Sequence, residues 1–117
     1  MINKLSCSAV LLLAMAGCAS DPQPTEQLQL TAQSIAQAKA VGATTDIESL
    51  KQAEAKLQRA DQAVAQQQFK EARMLAEQAE LDAREAEADY LVGQSEVRLQ
   101  ELNKQINRLR TQLRAQQ

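Results

Sequence analysis

The sequence has no histidine, no tryptophan, one phenylalanine and one tyrosine among its 117 residues. Histidine is the side chain that most often serves as a general base or a metal ligand, so its absence removes the commonest route to both functions. We therefore expect no enzymatic activity, no catalytic residues, no metal site and no cofactor. With so little aromatic side chain, we also expect no large globular core.

Both cysteines fall in an N-terminal segment that has the three parts of a secretory signal. Lys4 supplies the only charge, an apolar run over residues 5–16 is too short to span a bilayer, and small residues follow. The run ends in Met15-Ala16-Gly17-Cys18, which resembles a bacterial lipobox with methionine in the place usually taken by leucine. The sequence predicts a lipoprotein signal peptide over residues 1–17, or alternatively the leader of a plain secreted protein.

Lipidation of Cys18 would attach a diacylglycerol and an amide-linked chain such as palmitate, and two or more acyl chains hold a protein firmly on a membrane. Ala19 and Ser20 follow the cysteine, without the aspartate that retains enterobacterial lipoproteins at the inner membrane. We expect a lipid anchor in the outer membrane, on its periplasmic face. Cys7 would leave with the leader, so no disulfide is expected.

Charge limits the possible partners, and proline content limits which segments can be helical. The chain carries 13 basic and 15 acidic residues, a net charge of −2, which argues against a nucleic-acid partner. Pro22 and Pro24 predict a non-helical tether over residues 18–25, and no proline follows them. The rest is dominated by helix formers, which predicts a helical domain over residues 26–117.

Two breaks divide this domain into helices at about 26–41, 46–67 and 69–115. Gly42 predicts the first stop, and Thr45 with Glu48 three residues later predicts a capping box at the start of the second helix. The three glutamines at 66–68 mark a weaker break.

Apolar residues repeat at alternating steps of three and four on both sides of the second break. The second helix carries Leu50, Ala53, Leu57, Ala60 and Val64, and the third carries Phe69, Ala72, Ala76, Ala79, Ala83, Ala86 and Tyr90. Such stripes are heptad seams. We predict an all-α fold: an extended, coiled-coil-like antiparallel helical hairpin with a short first helix, a middle helix and a long alanine-rich third helix.

Beyond Tyr90 the seam changes phase and becomes richer in large side chains: Leu99, Leu102, Ile106, Leu109 and Leu113. The middle helix is too short to reach this stripe. Either the first helix, with Leu28, Ala32 and Ile35 on one face, lies along it, or a second copy covers it as a coiled coil. Both alternatives stay open at this point, with Gly93 as a possible bend.

Three polar or aromatic features offer weaker signals. Phe69 and Tyr90 share a seam, which favours hairpin core over a ligand-stacking pair. A basic distal end is formed by Arg98, Lys104, Arg108, Arg110 and Arg114. An acidic group surrounds Arg84 and predicts a solvated face with one Glu80–Arg84 pair, since it lacks a calcium-binding loop: Glu77, Glu80, Asp82, Glu85, Glu87 and Asp89.

The segments Ala53-Glu54-Ala55-Lys56-Leu57 and Phe69-Lys70-Glu71-Ala72-Arg73-Met74-Leu75-Ala76-Glu77-Gln78-Ala79 resemble the bacterial lipoproteins grouped as domain-of-unknown-function family 4398, over about residues 30–100. The resemblance implies a lipobox followed by a helical pair, and it lends no chemistry. Some members carry a peptidoglycan-binding domain whose residues have no counterpart here.

The expected function is that of an outer-membrane-anchored periplasmic lipoprotein acting as a structural or protein-interaction module, through self-association or an envelope protein partner. The alternative is a module that binds peptidoglycan or another envelope polymer non-covalently through the basic distal end.

Overall fold

The computed structural model describes residues 21–116, which form three helices: α1 (Thr25–Val41), α2 (Glu48–Ala65) and α3 (Phe69–Ala115). The predicted bounds of the helices agree with these to within two residues, and the all-α, extended architecture is confirmed. The lipobox residues Met15, Ala16 and Gly17, together with Cys18, lie outside the described residues. Helix α3 has 47 residues, so it is about 70 Å long at ~1.5 Å per residue, and it is continuous through Gly93.

Gly42 ends α1, as predicted, and reverses the chain. Its φ of 116° lies in the region that favours glycine. The Gly42 amide donates to the Lys39 carbonyl, and the Ala43 amide donates to the Ala38 carbonyl, each at 3.0 Å. These two bonds form a Schellman motif, which satisfies carbonyls that the helix end would leave free.

The predicted capping box at the start of α2 is wrong. The residue that precedes the helix is Ile47, and no side chain caps it. The Thr44 hydroxyl instead lies 3.2 Å from the Asp46 carboxylate, while Leu50 and Lys51 donate their amides to the Ile47 carbonyl. Ile47 takes this position because its side chain packs against the core between α1, α2 and α3. Burial of an apolar side chain outweighs the contribution of one hydroxyl cap.

The break predicted at the three glutamines is a tight turn between α2 and α3. Gln67 has a φ of 60°, and the amides of Gln67 and Gln68 donate to the carbonyls of Val64 and Ala63 at 2.9 Å. This second Schellman motif places a non-glycine residue in the left-handed conformation. The sequence signal was weak because glutamine is not a typical residue for that position.

Helices α2 and α3 pack antiparallel along the two predicted seams. Within residues 21–116 the buried apolar residues are alanines apart from Pro24, Ile35, Leu50 and Leu75: Ala38, Ala43, Ala53, Ala60, Ala63, Ala72, Ala76, Ala79, Ala83 and Ala86. Small side chains let helix axes approach closely, so a thin core still excludes water. Leu57 and Tyr90 are half-buried and pack against this core, and Val64 and Phe69 are also half-buried.

Helix α1 lies beside the first half of α3, so the alternative that placed it along the leucine-rich second half is wrong. Gln27 donates to Glu80 at 2.8 Å and Gln37 donates to Glu87 at 3.4 Å, which shows that α1 runs in the same direction as α3. The physical reason is the reversal at Gly42. Because that turn sends α2 back along α1, both helices cover the same half of α3.

The face of α1 that meets α3 differs by one residue from the predicted face. Ala32 is exposed, and Thr31 is fully buried in its place, next to Ile35. The Thr31 hydroxyl lies 2.8 Å from the Gln27 carbonyl oxygen and 2.9 Å from the Ala76 carbonyl oxygen of α3. Its single proton is shared between two acceptors, so the hydroxyl is satisfied without water.

Candidate self-association surface

The second half of α3 extends beyond the three-helix bundle. Every described residue from Leu91 to Gln116 is exposed. The bundle stops at Tyr90, whose side chain faces the Gly42 turn and packs on the core. From Leu91 to Ala115 the helix is about 36 Å long. We call this segment the distal arm.

The five residues predicted for self-association all lie on the distal arm, and all are strongly exposed. The exposed fractions are 60% for Leu99, 47% for Leu102, 45% for Ile106, 58% for Leu109 and 63% for Leu113. Their alternating spacing of three and four places them on one face of the helix. The structure thus presents them as one continuous apolar stripe with no cover from residues 21–116.

The apolar stripe begins one heptad before Leu99, the first residue predicted for it. Val92 is 57% exposed and lies seven residues before Leu99, so it belongs to the same face. The sequence carried this signal, because the residue seven positions before Leu99 falls on the same helix face. Leu91 and Val97 are also exposed, at 44% and 67%, but they lie off the face.

Charges on the distal arm have one dominant sign. It carries five basic residues, those predicted as the basic distal end, against only Glu96 and Glu101. Residues 21–90 carry 13 acidic and seven basic residues. The molecule therefore has an acidic bundle and a basic arm, which is the asymmetry expected from the sequence.

The acidic group on the first half of α3 is only partly solvated. The predicted pair between Glu80 and Arg84 is present. Asp82, however, has a side chain only 16% exposed, and its carboxylate lies 2.6 Å from the Lys56 ammonium of α2. Carboxylates of this group therefore connect α3 to its neighbours. Asp82 contacts α2, and Glu80 and Glu87 accept hydrogen bonds from α1. No group of three or more possible metal ligands occurs within residues 21–116.

Phe69 and Tyr90 do not form a ligand-stacking pair. They lie 21 positions apart on one helix, a separation of roughly 30 Å, at opposite ends of the bundle. Tyr90 packs against the core cluster of Ile35 and Leu50, and Phe69 lines an open groove with Met74 next to Asp21. Only Tyr90 has a packing role of the predicted kind.

The chain enters the bundle at the end opposite to the distal arm. Arg73, in the first turns of α3, donates to the Pro22 carbonyl at 3.4 Å, and Pro24 is buried. The tether residues 21–24 are not helical. Asp21, the first described residue, therefore lies at the end of the bundle where Phe69 begins α3. Among the described helices, none is long and apolar enough to cross a membrane.

The chain matches the family described as domain of unknown function DUF4398 over residues 26–102. It is also similar to a DUF4398 family protein from Pseudomonas aeruginosa PAO1 whose crystal structure has been determined. The two are 50% identical, the match covers 82% of this chain and 100% of the other, and the TM-score is 0.78. A search of curated proteins found no match. The chain therefore belongs to the DUF4398 family.

Proposed function

We propose that this protein is an outer-membrane lipoprotein, anchored through Cys18 on the periplasmic face, that acts without catalysis as a structural helical module of the cell envelope. The distal arm is the segment that binds its partner. The partner is another protein, and the preferred candidate is a second copy of this chain. The observation that carries this proposal is the uncovered apolar stripe from Val92 to Leu113.

Exposure of such a stripe to water is unfavourable in free energy, and association that buries the stripe would be favourable. Burying one leucine or isoleucine side chain is worth about 1.5–3 kcal/mol, and the stripe holds five of them. Contiguous exposed apolar surface marks interaction sites in soluble proteins. The alternation of three and four residues is the pattern that another helix fits best.

The position of the tether supports the anchored arrangement. Pro22 and Pro24 are held against the start of α3, so a lipid at Cys18 would lie near that end of the bundle. The distal arm leaves the opposite end and would point away from the anchor. An arm in that position is free to meet a partner.

A second candidate function is non-covalent binding of peptidoglycan or another anionic envelope polymer. The five exposed basic residues of the distal arm favour it. Their attraction for a polyanion would weaken as salt is added, whereas apolar association would not. Salt dependence thus distinguishes the two candidates.

Sedimentation equilibrium of the fragment 19–117, with and without purified sacculi, tests the proposal. We expect a concentration-dependent oligomer that persists at 0.5 M salt, where the Debye length is only about 4 Å. A monomer that pellets with sacculi at low salt and is released by high salt would support the polymer-binding alternative instead. A chain that neither self-associates nor pellets with sacculi would contradict both candidate functions.

Replacement of Cys18 by serine tests the anchor. We expect the wild-type chain to incorporate labelled palmitate and to fractionate with outer membranes, because two or more acyl chains bind firmly. Cys18→Ser should lose the label and leave the outer-membrane fraction. Cys7→Ser is the matched control and should behave like wild type; equal labelling of all three chains would contradict lipidation at residue 18.

A further inference from the structure

We propose that the partner of the distal arm is a second copy of this chain, and that the two arms pair antiparallel with their crossing point beside Lys104. The inference rests on the self-association proposed above and specifies its geometry. It follows from the heptad positions of the arm, its length and the charge of the bundle.

The apolar stripe defines the heptad frame. Counting from Leu99 as position a, the a positions are Val92, Leu99, Ile106 and Leu113, and the d positions are Ser95, Leu102, Leu109 and Gln116. In an antiparallel pair each a residue faces a d residue of the partner. With the crossing point at 104, Leu99 faces the partner's Leu109, and Leu102 faces the partner's Ile106.

Residues that flank the stripe select this register. Position e is occupied by Glu96, Asn103 and Arg110, and position g by Arg98, Gln105 and Gln112. In antiparallel pairs e faces e and g faces g. Glu96 then faces the partner's Arg110, twice by symmetry, and Arg98 faces the partner's Gln112. A shift of one heptad in either direction removes both ion pairs.

The length of the arm fits the same register. Gln116 comes opposite the partner's Val92, at the point where the bundle ends. Each apolar stripe is therefore covered over its full length. A one-heptad shift would leave one end of each stripe uncovered or place it against the partner's bundle.

A parallel pair buries the same stripe but meets repulsion from the bundle. Continued toward the N-terminus of α3, the a positions include Glu85 and Glu71, both exposed, and each would face its own copy. The two acidic bundles would also lie side by side. Antiparallel pairing sets the bundle centres roughly 70 Å apart, far beyond the ~8 Å Debye length at physiological salt.

Antiparallel pairing places the two tethers at opposite ends of a rod. Because Pro22 lies next to Arg73, the two tether ends are separated by roughly 90 Å along the paired α3 helices. The two Cys18 anchors would then hold the rod at both ends. A parallel pair would put both anchors at one end.

Cysteine cross-linking of the full chain in cells tests the orientation. In the antiparallel pair residue 95 faces the partner's residue 113, while two copies of residue 95 are about 27 Å apart. In a parallel pair residue 95 faces its own copy. We expect differently tagged Ser95→Cys and Leu113→Cys chains to form a mixed disulfide when co-expressed, and Ser95→Cys alone to form none. The parent chain, which retains Cys7 and Cys18, shows how much disulfide forms without the introduced cysteines.

The outcomes separate this inference from the proposed function. A disulfide between two Ser95→Cys chains would overturn the antiparallel geometry but support self-association through the arm. A chain that sediments as an oligomer and gives neither disulfide would overturn this register. A monomer would overturn the inference and the self-association together.

Charge exchange gives an independent readout of the register. Glu96→Arg places two arginines at each of the two flanking contacts and should weaken self-association about tenfold, since a solvent-exposed ion pair contributes only modestly. The double exchange Glu96→Arg, Arg110→Glu should restore it. Equal weakening by the single and double changes would overturn the pairing of these positions.

Discussion

Replacement of Leu102 and Leu109 by alanine should abolish self-association of the fragment 19–117. Both residues lie in the centre of the apolar stripe, and a dimer buries four of these side chains. At about 1.5–3 kcal/mol for each buried leucine, the loss is roughly 6 kcal/mol or more, which corresponds to about a ten-thousandfold weaker association. Sedimentation equilibrium should then find a monomer at every concentration where the wild type is an oligomer.

The matched control is Val97→Ala, on the same arm but off the stripe. Val97 is 67% exposed and holds the outermost heptad position, so its truncation should leave the oligomer intact. Alanine is the best helix former, so neither variant should reduce the helical signal in circular dichroism. Unchanged association of the double variant would show that the stripe is not the interface.

Gly42→Ala should strongly destabilise the bundle. A φ of 116° is unfavourable for any residue with a side chain, and a Cβ at this position would lie 2.5 Å from the Tyr90 hydroxyl oxygen and 2.6 Å from its Cζ. We expect a loss of about 2–4 kcal/mol from the combined backbone strain and overpacking. For a domain of this size the melting temperature should fall by at least about 10 °C.

Gly93→Ala is the control for the glycine substitution. Gly93 lies within α3, and a Cβ there would meet nothing within 4 Å. Alanine favours a helix over glycine by about 0.5–1 kcal/mol, so this change should not lower the melting temperature. If Gly42→Ala melted as the Gly93 variant does, the close contact between the first turn and Tyr90 would be refuted.

Much of the fold could be predicted because its signals are local. Gly42 is the residue type that ends helices, and alternation of three and four residues marks a helix face wherever the helix lies. Those signals located the three helices, the alanine seam of α3 and the stripe around Leu102. The capping box predicted from Thr45 and Glu48 was wrong because Ile47 packs against the core and fixes the start of α2. That contact involves residues far along the chain, so the local spacing does not reveal it.

The sequence by itself determined the helices, their apolar faces and the charge asymmetry between bundle and arm, since periodicity and composition belong to each segment alone. Only the tertiary structure decided which half of α3 receives α1. Leu28 and Ile35 fit either location, and the reversal at Gly42 sends α1 into the groove where Thr31 reaches the Ala76 carbonyl. That choice depends on a contact between distant segments, which the periodicity of one helix does not reveal. Because α2 is too short to reach the distal arm, the placement of α1 beside the first half of α3 leaves the arm uncovered within residues 21–116.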